Sequence, residues 1–218
     1  MNNSIQSIAA LIFDMDGLML DTERPALDAW IKAAGQFGYT IEPQVVFRTI
    51  GINEPTMRAL YAAEYGTQFP YEAIRNAVRQ ILAQQPIAHR PGLLILLDRL
   101  AALSLPLAVA TSTGQESAVK KLQQAGIIDR FSAFVFGDEV TNGKPAPDIF
   151  LLAAQRLNVE PSFCVGFEDS PPGLLGLYRA GIRSVFVKDL LEPPAEIAAT
   201  IWHRYENLAE VVELFKEY

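Results

Sequence analysis

Cysteine is almost missing from this chain: Cys164 is the one thiol in 218 residues. That excludes an intramolecular disulfide. With His89 and His203 as the two histidines, it also excludes a structural zinc site of the Cys/His kind. Positive charge is in short supply, with 18 Lys and Arg against 25 Asp and Glu, a net charge of −7. A negative surface argues against nucleic acid and anionic membranes as partners. It repels small phosphorylated ligands too, unless a cation or a local basic group reverses the field. Long hydrophobic runs are lacking. The apolar stretch Ile8–Phe13 stops at Asp14, and nowhere do ~20 apolar residues follow one another as a membrane span requires. Met1 to Ala10 contain no Lys or Arg, so the expectation is no secretory signal and a cytoplasmic protein. There are no repeats and no low-complexity tracts. No long apolar face is left over, and a monomer is expected.

Half of the residues are hydrophobic and a fifth are charged, which is the composition of a folded globular chain. Short apolar runs at Ile8–Phe13, Leu107–Ala110, Phe134–Phe136, Phe163–Val165 and Ser184–Val187 have the length of buried parallel strands. Between them lie stripes of helical period. One is Leu93, Leu96, Leu97, Leu100 and Leu103, another is Val119, Leu122 and Ala125, and a third is Phe150, Ala153, Ala154 and Leu157. Alternation of this kind predicts an α/β fold, with helices on both faces of a parallel sheet.

Residues 22–91 break the alternation. Leu27, Trp30, Ile31, Ala34 and Phe37 share helical spacing, and further helices are predicted over Pro55–Tyr65 and Tyr71–Gln85. Pro86 and Pro91-Gly92 mark the return. The expected organisation is an α/β domain of residues 1–21 and 92–218 and an inserted helical domain of residues 22–91. An insertion after the first strand lies over the carboxyl ends of the strands, where open α/β sheets bind ligands.

Four segments carry candidate chemistry. Asp14-Met15-Asp16-Gly17 leaves the first strand, and two carboxylates there are costly without a cation, although a plain strand-capping loop is also possible. Thr111-Ser112 leaves the second strand before a helix and suits a phosphate oxygen, or simply caps that helix. Lys144-Pro145 precedes a helix that starts near Asp148. Glu168-Asp169 leaves the fourth strand, as turn acids or as ligands of a divalent cation. Each is weak alone. In a parallel sheet, however, the carboxyl ends of the strands share one edge, so all four converge. The acids predict a hard, oxygen-seeking cation, Mg²⁺ first among them, and that cation with Lys144 would admit a phosphate.

In this order, Asp14-x-Asp16-Gly17 with Asp21, Thr111-Ser112, Lys144-Pro145 and Glu168-Asp169 resemble the motifs of the haloacid dehalogenase superfamily of phosphotransferases. The resemblance covers nearly the whole chain and implies a Rossmann-like, three-layer core. The helical insertion resembles the small cap of the β-phosphoglucomutase-like subgroup. The segments Phe13–Glu23 and Asn142–Pro145 are most similar to its sugar-phosphate phosphatases.

The resemblance implies that Asp14 is a nucleophile forming an aspartyl phosphate, and that Asp16 is the acid and then the base. It implies that Thr111, Ser112 and Lys144 hold the phosphoryl group. Mg²⁺ would bind Asp14, Asp169 and the Asp16 carbonyl, with Glu168 binding directly or through water. Halide leaves unprotonated and an alkoxide does not, so Asp16 favours phosphate esters over haloacids. The implied function is a phosphatase for small phosphorylated metabolites such as sugar or polyol phosphates, with a β-phosphoglucomutase-like mutase as the alternative. In the mutases a cap arginine grips the second phosphate. Here Gly51-Ile52-Asn53-Glu54 matches that stretch and puts an acid in its place, with Arg48 and Arg58 close by. Ala146 and Gly176-Leu177-Tyr178-Arg179 depart from the subgroup's pattern without removing a catalytic group. Cys164 reads as a buried small hydrophobe, Trp30 and Phe37 as core, His89 and His203 as structural or exposed, and Glu206–Lys216 as a closing amphipathic helix. Leu18 and Met19 are expected to line the site.

Overall fold

The computed structural model describes residues 8–216. Six strands, β1 (Ala10–Phe13), β2 (Leu107–Ala110), β3 (Ala133–Val135), β4 (Cys164–Glu168), β5 (Arg183–Val187) and β6 (His203–Tyr205), form one parallel sheet. Their order is β3-β2-β1-β4-β5-β6. The order reverses between β1 and β4, and that switch point opens a crevice beyond their carboxyl ends. Asp14 and Asp169 are the residues that leave those two strands.

Successive side chains of a strand face opposite sides of the sheet, and β1 therefore feeds two cores. Leu11 and Phe13 pack with Leu93, Leu96, Leu97 and Leu100 of α5 (Leu93–Ala102) and with Leu122 of α6 (Gln115–Gln124). Ala10 and Ile12 pack with Ile149, Phe150, Ala153 and Ala154 of α7 (Asp148–Arg156) and with Leu177 of α8 (Pro171–Arg179). The result is a three-layer α/β domain. Burial of each large apolar side chain contributes about 1.5–3 kcal/mol. The Phe13 and Phe167 rings stack at 4.5 Å and tie β1 to β4 at the site itself.

Between β1 and α5 lie α1 (Glu23–Gln36), α2 (Pro43–Phe47), α3 (Glu54–Tyr65) and α4 (Tyr71–Leu82). They enclose a third cluster that shares no residue with the other two. Trp30 stacks on Tyr61 at 4.6 Å, and Tyr61 on Phe69 at 5.4 Å. Among the described residues no helix is long and apolar enough to cross a membrane.

Several local expectations need correction. Ile31 and Phe37 are exposed. The buried face of α1 is Ala29, Trp30, Ala33 and Ala34: Trp30 and Ala34 lie on the predicted stripe, while Ala29 and Ala33 take the places expected for Ile31 and Phe37. Strand β6 carries no sequence signal, because His203-Arg204-Tyr205 is a polar, half-exposed sheet edge without an apolar run. Helix α2 is too short for a periodic signal. Phe163 lies in the 3-10 turn Pro161–Phe163, exposed, and β4 begins one residue later. The C-terminal stretch is not one helix. It is α10 (Leu208–Val211), following the short α9 (Ala195–Ala198), and then a 3-10 turn, Val212–Phe215. Leu18 and Met19 are buried in the core cluster below the site.

Candidate active site

The loop after β1 turns sharply at Gly17, whose φ is +82°. A side chain there would be strained and would collide with the Asp169 carboxylate. Glycine thus lets the first loop and the loop after β4 close on each other. Asp14, Glu168 and Asp169 are 6%, 0% and 2% exposed, with one oxygen of each lying within 4.8 Å of the others.

Lys144 reaches this group from the loop before α7, with its side chain fully buried. Its Nζ donates to Asp14 Oδ1 at 2.5 Å and to Glu168 Oε1 at 2.5 Å. Glu168 Oε2 accepts from the Asp169 N–H, the Ser170 N–H and the Ser170 hydroxyl at 3.1, 3.1 and 2.9 Å. Ser170 in turn caps α8, its hydroxyl accepting from the Gly173 N–H at 3.2 Å. Glu168 is therefore held on both oxygens, whereas Asp169 Oδ1 is buried with no hydrogen-bond partner.

Three acids face one ammonium in a buried site, more carboxyl groups than a single lysine can hold ionised. Burial raises Asp14 well above the usual carboxylate range, Glu168 and Asp16 add to this, and Lys144 opposes it. Burial raises Asp169 likewise, with Glu168 and Asp14 adding to it. Burial would lower the Lys144 ammonium, but Asp14 and Glu168 outweigh it and hold it above its ordinary value. A divalent cation matches both the surplus of acids and the unpartnered Asp169 oxygen, and all-oxygen donors suit a hard ion.

The Asp16 carboxylate turns to a different set of partners. Lys121 of α6 donates to Oδ1 at 2.5 Å, Thr22 donates to Oδ1 at 2.7 Å and Thr113 donates to Oδ2 at 2.7 Å. Burial would raise this carboxyl, but Lys121 and the two hydroxyls hold it below the usual range. Beside it, burial and the Asp16 charge push Glu23 up to about 8.

Ser112 and Thr111 leave β2 at the same edge. Ser112 donates its hydroxyl to the Gly51 carbonyl at 2.9 Å, and Thr111 is buried and accepts from the Thr113 N–H at 3.1 Å. Gly51, with φ +79°, has room for no side chain, since a Cβ would meet the Ser170 hydroxyl. The α2–α3 turn is thus seated on the core loops.

All seven residues singled out from the sequence, Asp14, Asp16, Thr111, Ser112, Lys144, Glu168 and Asp169, lie at the carboxyl edge of the sheet. Sequence reasoning missed Lys121 and Glu23, and it did not foresee that the Thr113 and Thr22 hydroxyls hold Asp16. Thr113 and Glu23 stand next to the motifs. Lys121 is one lysine of an amphipathic helix, and no local pattern marks it. Cys164 is buried as expected, and burial pushes its thiol up to about 11. His89 joins the two parts of the chain: its Nε2 lies 2.8 Å from the Ala125 carbonyl.

A family model described as haloacid dehalogenase-like hydrolase matches residues 8–181. The chain is 33% identical over 182 residues to the phosphorylated carbohydrates phosphatase of Thermotoga maritima, covering 81% of this chain and 83% of that protein. It is 35% identical over 185 residues to the fructose-1-phosphate phosphatase YqaB of Escherichia coli, covering 83% of this chain and 96% of that one. The crystal structure of β-phosphoglucomutase from Clostridium difficile shares the fold, with a TM-score of 0.80 at 24% identity over 96% of each chain.

Proposed function

Because the chain belongs to the haloacid dehalogenase-like hydrolases, we propose that it is a Mg²⁺-dependent phosphatase for monoesters of small sugars or polyols. The observation that carries this reading is the buried trio Asp14, Glu168 and Asp169, with Lys144 paired to two of the three acids and Asp169 Oδ1 left without a partner. Relatives named as phosphatases of phosphorylated carbohydrates and of fructose 1-phosphate support the substrate class.

The Asp14 carboxylate attacks phosphorus in line with the ester oxygen. The Asp14–phosphorus bond forms as the phosphorus–ester bond breaks, and Asp16, which Lys121 holds ionised in the free site and which must take up a proton as the phosphoester binds, gives that proton to the departing alkoxide. Asp16 then takes a proton from a water whose oxygen attacks phosphorus, releasing inorganic phosphate and restoring Asp14. Lys144, Ser112 and Thr111 hold the phosphoryl oxygens. Mg²⁺, held by Asp14, Asp169 and the Asp16 carbonyl, would offset the charge on the transferring phosphoryl group. Glu168 has both oxygens engaged, which fits contact with the ion through water and a second role in fixing Lys144.

Residues 22–91 act as a lid hinged near Asp21–Arg24 and Ala88–Gly92, excluding bulk water when closed. The seat of Gly51 on Ser112 supports this. The lid also favours hydrolysis over phosphate transfer within a bisphosphate. Glu54 is ion-paired with Arg75, Arg48 with Glu64 at 2.7 Å, and Arg58 with Glu72, so both arginines near the mutase position are already engaged.

The test is a phosphate-release screen across sugar, polyol and nucleotide monophosphates with added Mg²⁺. The reading expects release from sugar or polyol esters, reversible loss with EDTA, and no turnover in a folded Asp14→Asn variant. Isomerisation of a hexose phosphate with little free phosphate would overturn it in favour of a mutase.

A further inference from the structure

Two chain segments connect the lid to the α/β domain, and they run side by side. The Asp21 N–H donates to the Ala88 carbonyl at 2.9 Å, and the Arg90 N–H donates to the Met19 carbonyl at 2.8 Å. Each segment carries an arginine, and both arginines turn to the same atom. Arg24 Nη1 lies 2.6 Å from Asp189 Oδ1, and Arg90 Nη1 lies 3.0 Å from that same oxygen. Asp189 comes from neither segment. It stands two residues past β5, at the sheet edge that carries the site, and its side chain is 1% exposed. Arg90 also donates from Nη2 to the Lys188 carbonyl at 3.0 Å, and Arg24 from Nη1 to Asp21 Oδ1 at 3.1 Å.

From this geometry we propose that Asp189 is the positioning residue of the hinge, a single core carboxylate that pins both connecting segments and so sets how readily the lid opens. The proposal rests on the reading of residues 22–91 as a lid. A buried carboxylate shared by two guanidinium groups restrains both, because moving either segment strands charge that the other cannot fully satisfy. Closure at two hinges is thereby coupled through one atom. The hydrogen bonds and ion pairs of Asp189 run to the two arginines of the connecting segments, while its charge also reaches Asp169, so linker exchange and not turnover is the readout that isolates its effect on the lid.

The experiment compares hydrogen exchange and kinetics of the full-length wild type with Asp189→Asn, Arg24→Gln, Arg90→Gln and the double variant Asp189→Asn/Arg24→Gln. The proposal expects exchange at the Asp21 and Arg90 amides to rise about tenfold in Asp189→Asn, with the amides of β1 and β4 unchanged. It expects KM for sorbitol 6-phosphate to rise about fivefold while kcat for p-nitrophenyl phosphate moves less than about twofold. The double variant should fall short of the sum of the single variants, because Asp189 and Arg24 share one contact, with Arg24 losing in addition only its half-exposed pair with Asp21. Where Asp189→Asn does not fold, Arg24→Gln and Arg90→Gln carry the same exchange test.

Linker amides that do not respond, amides that rise together with those of the core, or additive effects in the double variant would overturn the proposal. Exchange does not depend on turnover, so the two readings can fail separately. A wild type that releases no phosphate from any ester would remove the phosphatase, and a linker-specific rise in exchange would still uphold the hinge.

Discussion

Lys121 Nζ lies 2.5 Å from Asp16 Oδ1, although the two residues are 105 positions apart. The contact joins α6 to the loop after β1 and fixes the carboxylate proposed to move protons at the ester oxygen. Thr113 completes the cradle from the core side, and Thr22 completes it from the start of the lid.

Loss of that anchor should show in the leaving group. Lys121→Met is expected to lower kcat on an alkyl phosphate by about 10- to 100-fold, because losing the placement of Asp16 outweighs the rise in its carboxyl toward the proton-donating form. With p-nitrophenyl phosphate, whose phenolate leaves unaided, the loss should be several-fold smaller. Steady-state kinetics on the two esters checks this, and an equal loss on both would assign Lys121 to structure alone.

The seat of the lid gives a second prediction. Gly51→Ala places a methyl against the Ser170 hydroxyl at a backbone φ of +79°. The lid can then no longer settle on Ser112. KM for a sugar phosphate should rise about tenfold, while the melting temperature falls by about 2–12 °C, the cost of about 1–3 kcal/mol for a side chain at positive φ. Unchanged kinetics would mean that the α2–α3 turn does not close over substrate.

Cys164 should be chemically silent. Burial pushes its thiol up to about 11, so at pH 8 the native protein holds almost no thiolate there. Iodoacetamide is expected to leave the folded chain unlabelled over hours and to label it once in denaturant, as intact-mass measurements would register. Rapid labelling of the folded protein would contradict the buried placement.

The sheet core was legible in the sequence because buried parallel strands are continuous apolar runs, and β2 matches its run residue for residue. The site was legible for a related reason. Acids and hydroxyls that follow such runs must share the carboxyl edge, and Asp14 and Asp169 meet there because β1 and β4 are neighbours. What could not be read lacks a local signature. The edge strand β6 is polar on its exposed side. Beside Trp30 and Ala34, the buried face of α1 takes in Ala29 and Ala33, which carry little hydrophobic signal. Lys121 and Asp189 act through contacts spanning 105 and 165 positions, and only the folded chain brings their partners within reach.

The central claim is that acids from two neighbouring strands hold one divalent cation. Titration of Mg²⁺ into metal-free protein, followed by calorimetry, tests it most directly. One site is expected in the wild type, with binding abolished in Asp169→Asn, the variant that turns the trio's one carboxylate with an unpartnered buried oxygen into a neutral amide. Relief of like-charge crowding should meanwhile keep that variant at least as heat-stable as the metal-free wild type. Mg²⁺ bound with undiminished affinity by Asp169→Asn would contradict the account.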